Sequence, residues 1–162
     1  MDLHKIYEYA LAREREGRDF FRRHAERMPH AAAAGAFRAL AAEEEQHIAY
    51  IQGLLRALDG QAPAAEPPAA LDGEGLFAER AGRELLEQTV VESMIPDVAV
   101  LRTAYLIERD FVEFYQRMAE RTEGEASAAL QRLADWERSH AELFERLHDE
   151  VFEQYAGMPW GG

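Results

Sequence analysis

The sequence predicts an all-α fold: a four-helix bundle built from two repeated helical hairpins with a long crossover connection between them. Three observations carry that prediction. Apolar residues recur at steps of three and four along four long stretches, which places them on one face of a helix. Every proline falls outside those stretches. The second half of the chain also repeats the pattern of the first at an offset of 93 to 94 residues, the mark of a duplicated structural unit.

The first helix is read over residues 3 to 28, with Leu3, Tyr7, Ala10, Leu11, Phe21, Ala25 and Met28 as its apolar stripe and Pro29 as its stop. Glu14 lies seven residues from both Tyr7 and Phe21 and so shares their stripe, while Glu16 and Asp19 fall on other faces. Gly17 leaves room beside Glu14 for a neighbouring group. The second helix is read over residues 31 to 58 and ends at Asp59-Gly60. Three prolines in six residues, Pro63, Pro67 and Pro68, then make an extended connector long enough to run the height of a bundle. An additional helix is expected within residues 75 to 94. Pro96 and Asp97 suit the first turn of a third long helix over residues 97 to 122, whose stripe is Leu101, Ala104, Tyr105, Glu108, Phe111, Val112 and Tyr115. Gly124 interrupts the pattern, and the fourth helix is read over residues 126 to 155, with Leu130, Leu133, Trp136, Phe144, Leu147 and Val151 on its core side. Residues 156 to 162 form a tail, with Trp160 available to order it. The expectation is one domain over residues 1 to 162, with the connector and extra helix at about 60 to 95.

Two short motifs carry the chemistry. Glu44-Glu45-Gln46-His47 puts a carboxylate and an imidazole three residues apart, on the helix face that also holds Leu40, Ala41, Ile48 and Ile51. Glu137-Arg138-Ser139-His140 repeats the motif 93 residues later, and Leu133-Ala134 stands before it as Leu40-Ala41 stands before the first. At an offset of 94, Glu14 falls on Glu108, Arg15 on Arg109, Phe20 on Phe114 and Phe21 on Tyr115. Each hairpin thus supplies one stripe glutamate and one Glu-x-x-His pair.

Taken singly, each of these residues is most simply a boundary carboxylate or a core imidazole. Taken as a repeated set, Glu14, Glu44, His47, Glu108, Glu137 and His140 form the donor arrangement of a di-metal carboxylate bundle. Four buried carboxylates without cations are costly, whereas two divalent ions bring +4 and cancel them. Oxygen and imidazole donors suit iron or manganese, and zinc also binds such groups. In this reading Glu44 and Glu137 bridge, Glu14 and Glu108 are terminal ligands, and His47 and His140 each bind one metal. Tyr7, Tyr105 and Tyr115 are candidates to line the site, an ordinary core role being the alternative. His4, His24, His30 and His148 do not repeat and are not read as ligands; Glu43, Glu45 and Glu142 are expected to face solvent.

Composition removes several function classes. The chain has no cysteine, so thiolate metal sites, disulfides and a cysteine nucleophile are excluded. A net charge of −13 repels nucleic acid and anionic membrane surfaces. No apolar run approaches a membrane span, and the first residues lack the apolar core of a signal peptide, so a cytoplasmic location is expected.

Residues 10 to 21, Ala-Leu-Ala-Arg-Glu-Arg-Glu-Gly-Arg-Asp-Phe-Phe, followed by Leu40-Ala41-Ala42-Glu43-Glu44-Glu45-Gln46-His47, resemble the rubrerythrin branch of the ferritin-like superfamily. The resemblance extends to both halves, apart from residues 60 to 95 and the tail. It implies a ferritin-like bundle with two iron ions that reacts with O2 or H2O2, as a homodimer or larger homo-oligomer. Two departures stand out. Rubrerythrins proper carry a cysteine-ligated rubredoxin domain, so here the reductant would be a separate electron-donor protein. They also carry an extra carboxylate three residues after the third-helix glutamate, used in peroxide reduction, and that position is Phe111. The six-residue set is similar to that of bacterioferritin ferroxidase centres. The expected function is therefore di-iron redox chemistry with O2 or H2O2. The alternatives are a ferroxidase linked to iron storage or an encapsulating shell, and a non-enzymatic metal-carrying or partner-binding helical module.

Overall fold

A computed structural model describes residues 2–63, 65–68 and 88–158. Helix α1 spans Leu3–Ala25, with the Asp2 side chain accepting the Lys5 N–H at its start. It ends three residues before the position expected from periodicity. Residue 28 precedes Pro29, which disfavours helical geometry there, and Arg27 and Met28 instead donate to the His24 carbonyl in a closing turn. Helix α2 spans Ala31–Leu58, as expected. His30 caps it, its ring Nδ1 accepting the Ala32 N–H at 3.2 Å. Gly60, at φ +68°, turns the chain out of the helix.

The next described helix, α3, spans Gln88–Ser93 and is the only part of the extra helix expected at 75 to 94 that is described. Residues 75 to 87 lie outside the described residues, as does Trp160 in the tail. A 3-10 turn over Ile95–Asp97, with Pro96 in its first turn, leads into α4, Val98–Ala119. Helix α5, Gly124–Ala156, begins two residues earlier than expected, and Ser127 Oγ ties it to the Ala119 carbonyl across the α4–α5 turn at 2.9 Å. No strand occurs among the described residues, and no described helix is long and apolar enough to cross a membrane.

The packing fixes the topology. Helices α1 and α2 form one hairpin and α4 and α5 the other. One apolar cluster joins the end of α1 (Phe21), the start of α2 (Phe37), α3 (Val90, Val91), the start of α4 (Leu101) and the late part of α5 (Phe144, Leu147). The other joins the start of α1 (Tyr7), the late part of α2 (Tyr50, Ile51), the late part of α4 (Tyr115) and the start of α5 (Leu130, Leu133). Helix α2 therefore finishes at the end of the bundle opposite to the one at which α4 begins. The described residues thus form an all-α bundle of two hairpins, as expected.

The two clusters are apolar layers. In the first, the Phe21 and Phe144 rings stack at 5.5 Å and Phe37 meets both edge-on. Between the layers lies a polar one. Glu14 sits near the middle of α1, Glu44 and His47 near the middle of α2, Glu108 near the middle of α4, and Glu137 and His140 near the middle of α5.

Candidate metal centre

All six of those side chains are buried: Glu14, Glu44, His47, Glu108 and Glu137 are 0% exposed and His140 is 1% exposed. They are the only buried carboxyl and imidazole groups among the described residues. Helical spacing explains their convergence. Glu44 and His47, and likewise Glu137 and His140, stand one turn apart on the faces that α2 and α5 turn inward. Glu14 and Glu108 occupy the corresponding inward positions of α1 and α4.

The donor atoms fall into two overlapping groups. One is Glu14, Glu44, His47 and Glu137; the other is Glu44, Glu108, Glu137 and His140; within each, one donor atom per residue lies within 4.8 Å of the others. His47 Nδ1 is 3.3 Å from Glu14, 3.4 Å from Glu44 and 2.8 Å from Glu137. His140 Nδ1 is 3.4 Å from Glu44, 3.6 Å from Glu108 and 3.5 Å from Glu137. Glu44 and Glu137 belong to both groups, the geometry a bridging carboxylate requires. The two imidazoles stack at 5.7 Å between ring centres.

These contacts do not satisfy the groups that make them. Both oxygens of Glu44, Glu108 and Glu137, together with His140 Nδ1, are buried without a hydrogen-bond partner among the described residues. His47 Nδ1 lies close to Glu137 Oε1, yet the pair lacks hydrogen-bond alignment. Buried polar atoms are ordinarily paired, so a concentration of unpaired carboxylate oxygens at one point marks a place for cations. The donor set fits them: four carboxylates and two imidazoles, without sulfur, suit first-row divalent ions such as iron and manganese.

Protonation tells the same story for the metal-free protein. Burial, reinforced by the charges of Glu137 and Glu44, pushes the Glu14 carboxyl well above its usual range. Burial and Glu137 do the same to Glu108. Burial also opposes charge on Glu44 and Glu137, but nearby imidazoles outweigh it and hold both carboxyls below the usual range. For His47 and His140, burial disfavours the imidazolium and the surrounding carboxylates more than reverse that, so both pKa values are raised. Without metal, protons perform the neutralisation that cations otherwise would.

Two further side chains support the six. The Tyr115 hydroxyl donates to Glu14 Oε1, and burial, reinforced by the neighbouring carboxyl groups, pushes that phenol well above its usual range. His140 Nε2 pairs with Glu43 Oε2 at 2.7 Å. That contact corrects the expectation that Glu43 faces solvent: it is half-buried, because α5 brings His140 across to it. Glu45 and Glu142 are exposed as expected. Of the three candidate tyrosines, only Tyr115 reaches the centre. Tyr7 is buried in the apolar layer beside Tyr50, and Tyr105 lies half-buried with Arg102 and Arg109 over its ring. Trp136, expected on the core side of α5, stacks on His47 with ring centres 5.2 Å apart. Phe111 fills the space that Gly17 leaves: a Cβ at Gly17 would stand 3.2 Å from its ring.

Comparison with known proteins agrees with this geometry. The family model described as Rubrerythrin matches residues 5–148, most of the chain and all six buried donors. Searches of curated proteins and of solved structures gave no match. The matched span, the all-helical fold and the buried carboxylate–imidazole cluster lead to one conclusion: the chain belongs to the rubrerythrin family of ferritin-like di-iron carboxylate proteins.

Proposed function

We propose that Glu14, Glu44, His47, Glu108, Glu137 and His140 hold two iron ions and that the protein is an oxidoreductase reducing H2O2 or O2 with electrons from a separate donor protein. The observation that carries this reading is the overlap of the two four-residue donor groups, fully buried, with the oxygens of Glu44, Glu108 and Glu137 unpaired. Bound ferrous iron would supply two electrons per pair, which with two protons from solvent are enough to take H2O2 to two waters or O2 to H2O2. The chain's own residues do the rest. Glu44 and Glu137 offer an oxygen to each side. Glu14 and Glu108 complete the two ends. Tyr115 fixes the Glu14 carboxylate and Glu43 fixes the His140 ring. The apolar layers above and below keep bulk water away from the donors.

A second reading, a ferroxidase serving iron storage or a shell, is favoured by one observation. Three residues after Glu108 stands Phe111, whose ring packs against Gly17, so α4 offers no seventh carboxylate there. Mixing the anaerobic Fe(II)-loaded protein with O2 or with H2O2, and following ferric absorbance, separates the readings. Faster oxidation by H2O2, with repeated turnover when reductant is present, is the expected result. Faster oxidation by O2, together with a large hollow oligomer in light scattering, favours the ferroxidase. Oxidation no faster than that of free Fe(II) leaves a metal-carrying module and overturns both.

A further inference from the structure

The internal repeat makes the donor set two-fold, but the residues that support it break the symmetry at two places. At the offset of 93 that superposes the Glu-x-x-His motifs, Glu43 corresponds to Trp136. Glu43 accepts from His140 Nε2 at 2.7 Å; Trp136 instead stacks on His47 and leaves its Nε2 buried without a hydrogen-bond partner. At the offset of 94 that superposes the lone glutamates, Tyr115 corresponds to Phe21. Tyr115 donates to Glu14, whereas Phe21 has no hydroxyl and both Glu108 oxygens are unpaired.

Both differences act in the same direction. An imidazole that ligates through Nδ1 carries its proton on Nε2, and a carboxylate accepting that proton makes the ring a stronger donor to a cation. Glu43 gives His140 this support and adds a negative charge nearby. An indole has only an N–H donor and can accept nothing from His47. A hydroxyl donating to Glu14 draws electron density from that carboxylate, while Glu108 keeps all of its own.

Resting on the metal-centre reading above, we propose that the two halves of the centre are unequal: the Glu108/His140 side takes a divalent cation before the Glu14/His47 side, with Glu43 and Tyr115 as the positioning residues that set the order. The donor sets themselves are matched, one histidine and one terminal glutamate on each side with two shared carboxylates, so the inequality comes from these supports.

The test is anaerobic Co(II) titration of the metal-free protein, read by calorimetry and visible absorbance. Stepwise binding to the native chain does not decide, because two neighbouring cations repel even in equal sites. Single-histidine variants do decide. His47→Ala retains the Glu108/His140 side and His140→Ala the Glu14/His47 side. The first is expected to bind its one ion about tenfold tighter or more, the range for loss of a supporting partner. Adding Glu43→Ala should remove that advantage from the first variant and leave the second unchanged, with Glu43→Gln, which keeps an acceptor without charge, falling between. Adding Tyr115→Phe to the second should tighten it. If the histidine variants do not fold, cadmium NMR at one equivalent provides the readout: one dominant signal in the native chain and two of similar size in Glu43→Ala. Equal affinities, or two equal cadmium signals in the native chain, overturn the proposal and leave the metal centre standing. No ion bound to any form overturns the metal centre itself.

Discussion

Replacing Glu108 by leucine should move stability in opposite directions with and without metal. Glu108 is 0% exposed, neither of its oxygens has a hydrogen-bond partner, and its nearest cationic group is His140 Nδ1 at 3.6 Å. Burial raises its pKa, so in the metal-free protein its charged form is disfavoured, and its oxygens have no partner to offset that. Leucine has similar bulk, favours helix and removes the unpaired oxygens. Apolar replacement of such poorly compensated buried groups stabilises by about 1–4 kcal/mol. The middle of that span, about 2.5 kcal/mol, corresponds to a rise of about 7 °C at about 2–4 °C per kcal/mol for a chain of this size. The metal-loaded protein should respond the other way, because the variant lacks the terminal donor of one group. Stabilisation by a ligand held at a hundred times its Kd is about 2.7 kcal/mol, and the part due to that ion would be lost. Calorimetric melting of native and Glu108→Leu chains, each with chelator and with Fe(II) under anaerobic conditions, reads both arms. A variant that melts lower than the native chain in chelator, or that still binds two ions with native affinity, refutes the reasoning.

Protonation supplies a second prediction. Binding two divalent cations should release protons, since Glu14, Glu108, His47 and His140 all have raised pKa values without metal. An indicator dye in weak buffer reports it, and metal uptake with no proton release contradicts the assignment. The same groups give the sign of the pH dependence in the metal-free state. Each of these four contributes stability that is present below its unfolded pKa and lost as pH rises through the folded one. Glu44 and Glu137, with lowered pKa values, contribute stability that is lost only as pH falls through theirs. Four groups against two make the chelated protein melt lower as pH rises from mildly acid to alkaline; a melting temperature that climbs instead contradicts the balance. Phe21→Ala, which removes the ring stacked on Phe144, should cost about 3–5 kcal/mol in chemical denaturation while leaving metal stoichiometry unchanged. A loss of metal in the folded variant would mean that the apolar layer and the polar one are not separable.

Much of this organisation is legible in the sequence because it is periodic. Glu14 and Glu108 stand out as lone charges on apolar stripes, and the Glu-x-x-His pairs stand out because the chain repeats them. Helix spacing alone is enough to turn those side chains inward. What periodicity does not encode is which side chains meet across helices. Glu43 stands about 100° around α2 from Glu44 and looks like a solvated neighbour in the run of three glutamates; only the approach of α5 brings His140 to it. Tyr115 reaches Glu14 over 101 positions of sequence, and nothing in its own stripe separates it from Tyr105, which stays outside the centre. Trp136 reads as another core residue until α5 lies against α2 and its indole covers His47. The early end of α1 was available in Pro29, whose effect on the preceding residue outweighs the apolar character of Met28.

The most direct measurement is anomalous scattering at the iron edge from crystals of the Fe(II)-reconstituted protein, with metal analysis of the same sample. Two peaks are predicted, one among Glu14, Glu44, His47 and Glu137 and the other among Glu44, Glu108, Glu137 and His140, with two ions per chain in solution. A single peak elsewhere, or none at these donors in protein exposed to excess Fe(II), would contradict a di-iron centre.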